Sequence, residues 1–406
     1  MFYDVLLGIE FLLLAGIVLF TISQKSNIVS VLFYATFIFL LLIVVRQFLS
    51  EYLNMVHMVV ILCLTIALIH VSITAPALSF PYFKKYIMFS CTMLLFVYIY
   101  KMDVPKWLVE FILKVNVVIA VLYPIGYYLL NARTMEADSL TLNFSNPNLT
   151  GMYLLHSALY CVLALQYFKN IIFKLAMVVL LAQIYMFMDA TRSRASLLAF
   201  WGFIAITVIS YFWGGKITVT PLVSFLMLIM PLVAVFGYLY LCDVGVLYEK
   251  ETDAFFEVSD GKSMMSRRRI WEAGMSWFRA HPIVGSYGYI GGKSGVSQMH
   301  NTHLDVLVSY GTVPFVLFIT ALNQCVNRVL KNISYSYQKI ALFAFYAVLI
   351  SGTFEAALVS GGVGLYMLSG GFLIISKFDG LLHEVKHERT AAERDTEDSS
   401  RNFEAF

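Results

Sequence analysis

The chain has 406 residues, 60% of them hydrophobic and only 13% charged, with a mean hydropathy of +0.78. A soluble domain is about half apolar and about a quarter charged, so this composition excludes one. A net charge of +3, spread in ones and twos between apolar runs, gives no footprint for nucleic acid.

Apolar runs of about 18 residues or more recur, the length at which a helix crosses the hydrocarbon core. Nothing shows the short alternation of a membrane β-barrel. The sequence therefore predicts an all-α polytopic membrane protein with about twelve transmembrane helices. In chain order the expected spans are 2–22, 29–45, 55–73, 86–100, 108–130, 149–168, 171–188, 195–213, 221–241, 302–322, 339–354 and 362–377. Met1 to Ile22 lacks a basic leader and a small-residue cleavage site, so it reads as a first span. The divisions are 1–241 for the first nine helices, 242–301 for a long extracytoplasmic loop between the ninth and tenth, 302–378 for the last three, and 379–406 for a charged tail that reads as disordered. Cys63, Cys91, Cys161 and Cys325 fall in or beside spans and Cys242 near the loop, which suggests no disulfide framework.

Orientation follows from Lys and Arg in short loops. A cytoplasmic N-terminus gives inner loops Arg46, Lys101, Lys106, Lys169, Lys174, Lys216, Arg328, Lys331 and Lys339, and leaves fewer outside. The polar stretches 131–148, 189–194 and 242–301 then share the outer side. A reaction there needs a substrate already activated and carried in the membrane.

Four segments carry the polar chemistry. Asn146-Pro147-Asn148 reads as a capping turn before a span. Asp189 to Ser196 contains Arg192 and Arg194, costly beside the core unless paired or bound to an anion such as phosphate, for which guanidinium is well shaped. Interface snorkelling with Asp189 as partner is the alternative. In the long loop, Ser266 to Phe278 has helical periodicity, with Ile270, Gly274 and Phe278 on one face and Arg267, Arg268 and Arg269 at its start. This predicts an amphipathic helix on the membrane surface, ended by His281-Pro282. Tyr287 and Tyr289 follow it and can stack on sugar rings or belong to an interface belt. The loop closes with His300-Asn301-Thr302-His303, where Asn301 is the expected N-cap and His300 lies at the positive end of a helix dipole. His300 and His303 can share a face, but a metal site needs a third ligand and only Asp305 is near. Of the ionisable residues in spans (His57, His70, His156 and Glu355), Glu355 should face the same side as the loop.

The order of these segments resembles the O-antigen ligase and repeat-unit polymerase (Wzy-type) superfamily over roughly residues 140–375. The resemblance rests on Asn146-Pro147-Asn148, Arg192-Ser193-Arg194, Arg268-Arg269-Ile270-Trp271, His281 to Gly285, and His300-Asn301 followed by Leu304 and Gly311. It implies glycosyl transfer between undecaprenyl-diphosphate-linked oligosaccharides at the outer face of the bacterial cytoplasmic membrane. Counterparts of the family's residues are Arg192 or Arg194, one of Arg267 to Arg269, and His300; His303 has none. On this basis Arg192, Arg268 and His300 are expected to be catalytic, and Arg194, Arg267, Arg269, Asn148, Tyr287 and Glu355 to contact substrate. Partners implied are membrane lipid, a chain-length regulator and a flippase of the same pathway. No cofactor is expected, and the motif segments hold no carboxylate cluster suited to Mg²⁺. A polymerase is the first reading. A ligase shares its donor chemistry, and a lipid-linked-oligosaccharide flippase is the rival from another class.

Overall fold

The computed structural model describes residues 2–50, 79–136, 138–212, 219–244, 264–283, 285–286, 299–355, 365–380 and 382, with isolated helical positions between 59 and 73. Among these the protein is an all-α membrane protein whose one sheet is a two-stranded hairpin, β1 (Met135–Glu136) and β2 (Ser139–Leu140). Eight described helices are long and apolar enough to cross a bilayer. They are α1 (Phe2–Ile22), α2 (Ser26–Ser50), α4 (Lys106–Leu129), α5 (Pro147–Tyr167), α6 (Ile171–Ala190), α7 (Arg194–Phe212), α8 (Pro221–Asp243) and α11 (Thr312–Lys331). Three further helices are α3 (Ser79–Lys101), apolar from Tyr86, α12 (Ser336–Ser351) and α13 (Leu365–Lys377). Two more, α9 (Met264–Ala280) and α10 (Thr302–Tyr310), complete the set. The expected span 55–73 and the tail lie largely outside the described residues.

Helix starts follow local chemistry. Asn146 caps α5 through Oδ1, which accepts from the Leu149 amide at 2.7 Å, and Pro147 takes the first helical position, where its missing N–H costs nothing. Thr220 and Pro221 repeat the device at α8.

The core is centred on α5, buried along most of its length against α4, α6, α7, α12 and α13. Tyr160 stacks on Phe372 with centroids 4.3 Å apart and donates to Leu368 O at 2.6 Å. His156 is satisfied within this core: Nδ1 lies 2.8 Å from Met152 O and Nε2 3.0 Å from Ser369 Oγ. By contrast α6, α7 and α8 expose Val178, Val179, Met186, Leu198, Trp201 and Val233. In a membrane protein this is the lipid face, because apolar exposure costs nothing in hydrocarbon when the backbone is satisfied within the helix.

One expectation is corrected here. The span expected at 302–322 is not one helix: α10 stops at Tyr310, and α11 starts at Thr312. Between them Gly311 has φ 90° and ψ 179°, which only glycine adopts readily. The chain after α9 crosses at this break: Thr312 N donates to Pro282 O at 2.8 Å and Ser286 N to Val308 O at 2.8 Å. The helix expected after residue 263 is present as α9, and it packs on protein: Trp271 is fully buried against α10 and α8 and donates through Nε1 to Met299 O at 2.8 Å. Truncating a buried Trp costs about 3–5 kcal/mol, which makes this contact an anchor of α9.

Candidate functional site

The turn after α12 and the N-termini of α5, α9 and α10 meet around one carboxylate. Glu355, only 5% exposed, follows the end of α12. Its Oε1 accepts from Asn148 Nδ2 at 2.7 Å and faces Arg267 Nη2 at 3.4 Å, while Oε2 accepts from His300 Nδ1 at 3.2 Å. The sequence separations are 207, 88 and 55 residues, so tertiary packing alone assembles the group.

Each residue is delivered by a local device. Asn148 lies in the first turn of α5, fixed by the Asn146 cap. Arg267 lies in the first turn of α9, four residues before buried Trp271, so docking the apolar face carries the guanidinium inward. Burial lowers the Arg267 pKa from its ordinary value, and the Glu355 carboxylate pulls it back up; arginine stays charged in either case. The guanidinium also lies over the Phe354 ring, 5.6 Å from the centroid. His300 holds a left-handed backbone, φ 46°, immediately before the Asn301 cap. The expected cap is seen: Asn301 Oδ1 accepts from Leu304 N at 2.9 Å.

The hydrogen bond to Glu355 fixes the histidine tautomer. A carboxylate only accepts, so Nδ1 carries the proton and the lone pair is left on Nε2. The imidazole is part-exposed, 34%, and so open to a reacting group. Carboxylate-held histidine is the arrangement a general base needs. The first turns of α5 and α10 present positive dipole ends, which favour an anion beside them.

Arg268, expected as the catalytic member of the triplet, points elsewhere. Its Nε pairs with Glu272 Oε1 at 2.7 Å and its Nη2 lies 3.7 Å from Asp243 Oδ1. The i,i+4 spacing to Glu272 puts it on the solvent side of α9, where the Glu272 hydrogen bond raises its pKa. Arg269 is exposed. Arg267 is the triplet member that reaches the cluster.

Arg192 and Arg194 flank Ser193 at the α6–α7 turn, and both are exposed. Arg192 has φ 54° and precedes the start of α7 much as His300 precedes α10. The turn abuts the first turns of α5 at Gly151, where a Cβ would meet Ser193 Cβ at 2.6 Å. A larger residue at 151 would push the arginine turn away from Asn148. Tyr287 and Tyr289 lie outside the described residues, as do His57 and His70. His303 does not join His300: its Nε2 lies 2.5 Å from Leu228 O on α8. No group of three metal-ligating side chains occurs among the described residues.

Compared with known proteins, the chain matches no family model and no curated sequence.

Proposed function

We propose that this protein is a glycosyltransferase of the bacterial cytoplasmic membrane that joins lipid-linked repeat units into a polysaccharide. The observation that carries the reading is the His300–Glu355 pair, 3.2 Å apart, with Arg267 and Asn148 on the same carboxylate. In this reading the chain has twelve spans and both termini in the cytoplasm. Residues 131–148, 189–194 and 242–301 face the outer side, where the donor is an undecaprenyl-diphosphate-linked glycan.

His300 Nε2 takes the proton of an acceptor sugar hydroxyl, and Glu355 stabilises the imidazolium that results. The acceptor oxygen forms a bond to the anomeric carbon as the anomeric C–O bond to the diphosphate breaks. Undecaprenyl diphosphate leaves with the bonding pair. Arg267, with Arg192 and Arg194 from the adjoining turn, stabilises the charge that develops on it. Asn148, in the first turn of α5, orients Glu355 and the incoming sugar.

His300→Ala in the native host, at normal membrane levels, is expected to stop polymer formation and to accumulate single lipid-linked repeats. Accumulation of long lipid-linked chains instead would make the enzyme a ligase. Unchanged polymer would remove His300 as the base and turn the reading toward transport. A second comparison separates the arginines. Arg267→Ala is expected to lower activity by about hundredfold. Arg268→Ala should stay near wild type, because an exposed ion pair is worth about 1 kcal/mol or less. Equal losses in an assay of surface polysaccharide would count against the assignment of Arg267.

A further inference from the structure

We propose that Asn301 is the positioning residue that holds His300 against Glu355, an inference that rests on reading this pair as the reacting centre. Asn301 is fully buried at 0% exposure and follows His300 directly. Its amide makes three bonds. Oδ1 accepts from Leu304 N at 2.9 Å, and Nδ2 donates to Pro231 O at 2.7 Å and to Thr353 O at 2.9 Å. An amide NH₂ has two donors, so both are spent.

These bonds join α10, the middle of α8 and the turn after α12. The acceptors are available for physical reasons. Thr353 lies beyond the end of α12, where carbonyls lack intrahelical partners. Pro231 lies inside α8, and its carbonyl takes the Asn301 donor through an oxygen that has two lone pairs. Two residues after Asn301, His303 Nε2 bonds Leu228 O, one turn away from Pro231. The N-terminal turn of α10 is thus stitched to α8 at Leu228 and Pro231.

The consequence falls on the pair. His300 and Glu355 both stand on non-helical backbone, His300 in the left-handed region and Glu355 in a bend. No helix fixes either one. Asn301 touches both segments, being bonded covalently to His300 and by hydrogen bond to Thr353, two residues before Glu355. Thr302 reinforces the same link, with N donating to Gly352 O at 2.9 Å and Oγ1 to Glu355 O at 3.1 Å.

Asn301→Asp separates positioning from capping. It keeps an oxygen for the Leu304 amide but loses both donors and faces two carbonyl oxygens with a carboxylate. Asn301→Ser keeps a cap without charge, and carries the same test should the aspartate variant fail to reach the membrane. The full-length protein in lipid nanodiscs would be measured in two ways after its thermal unfolding is recorded. One is turnover of lipid-linked repeat units isolated from the native host. The other is modification of the His300 imidazole by diethyl pyrocarbonate, followed by peptide mass spectrometry. The expected result is a kcat about tenfold to hundredfold lower with donor KM within about threefold, as for a misplaced reacting group. His300 should also be modified at least about threefold more slowly, because the reacting Nε2 loses the basicity that the Nδ1–H bond to the Glu355 carboxylate lends it. Wild-type kcat and wild-type His300 reactivity in folded variants would overturn the proposal and leave Asn301 a helix cap. So would lower activity with unchanged His300 reactivity. If the wild-type protein transfers no glycan but the variants still slow His300 modification, the positioning role stands and the reaction assigned above falls.

Discussion

Under the proposed glycosyl transfer, replacing Glu355 with Gln is expected to lower polymer formation by about hundredfold or more, with normal amounts of protein in the membrane. The reason is the number of donors that the carboxylate serves. Oε1 takes Asn148 and Arg267, and Oε2 takes His300 Nδ1. An amide of the same shape offers one acceptor oxygen and one NH₂. With the NH₂ toward Asn148 and Arg267, donor meets donor; with it toward the histidine, Nδ1 must become the acceptor, which moves the proton to Nε2 and removes the lone pair that acts as base. The negative charge that stabilises imidazolium is lost in either case. Glu355→Asp keeps the charge but shortens the reach, so it should fall between wild type and Glu355→Gln. Stability should change less than activity, because Arg267 keeps 26% of its side chain exposed and water can take up part of its charge. Lipid-linked intermediates and surface polymer, measured together in the native host, provide the check. Polymer within a few-fold of wild type in Glu355→Gln would remove the carboxylate from the mechanism.

The second large effect is on folding. Gly311→Ala is expected to destabilise the protein by about 3 kcal/mol or more, from the φ/ψ penalty and the clash together. A Cβ at Gly311 would lie 2.0 Å from Ile283 O, and one at Gly285 2.4 Å from Ser309 O. Both neighbours are backbone, so no side chain can swing aside. The two glycines are where the segment after α9 crosses the α10–α11 break. Membrane levels and thermal unfolding in detergent would read the effect. Wild-type stability of Gly311→Ala would mean that α10 and α11 can run on as one helix, which the hydropathy of 302–322 by itself predicts.

Parts of the site were legible in the sequence beforehand. Asn146 and Asn301 cap as their side chains dictate, because capping involves only the next three residues. Asn148, Arg267, His300 and Glu355 were all among the residues singled out. Even the choice within the arginine triplet has a sequence signal: residues 267, 271, 274 and 278 follow one helical face, while Arg268 and Glu272 form an i,i+4 pair on another. Reading the basic run as a unit, lying on lipid, hid that signal.

Composition and hydropathy by themselves determined that this is an all-α membrane protein, because a bilayer demands long apolar helices whatever their partners. Local capping chemistry likewise determined where α5, α8 and α10 begin. Tertiary structure decided the rest. It broke the expected span at Gly311, since hydropathy is blind to a backbone dihedral. It packed Trp271 and Gly274 of α9 against α10 and α8, since the periodicity of 266–278 does not say which surface meets that face. It made Glu355 the centre of the group, because a carboxylate's partners 55, 88 and 207 residues away leave no mark in its own neighbourhood of sequence.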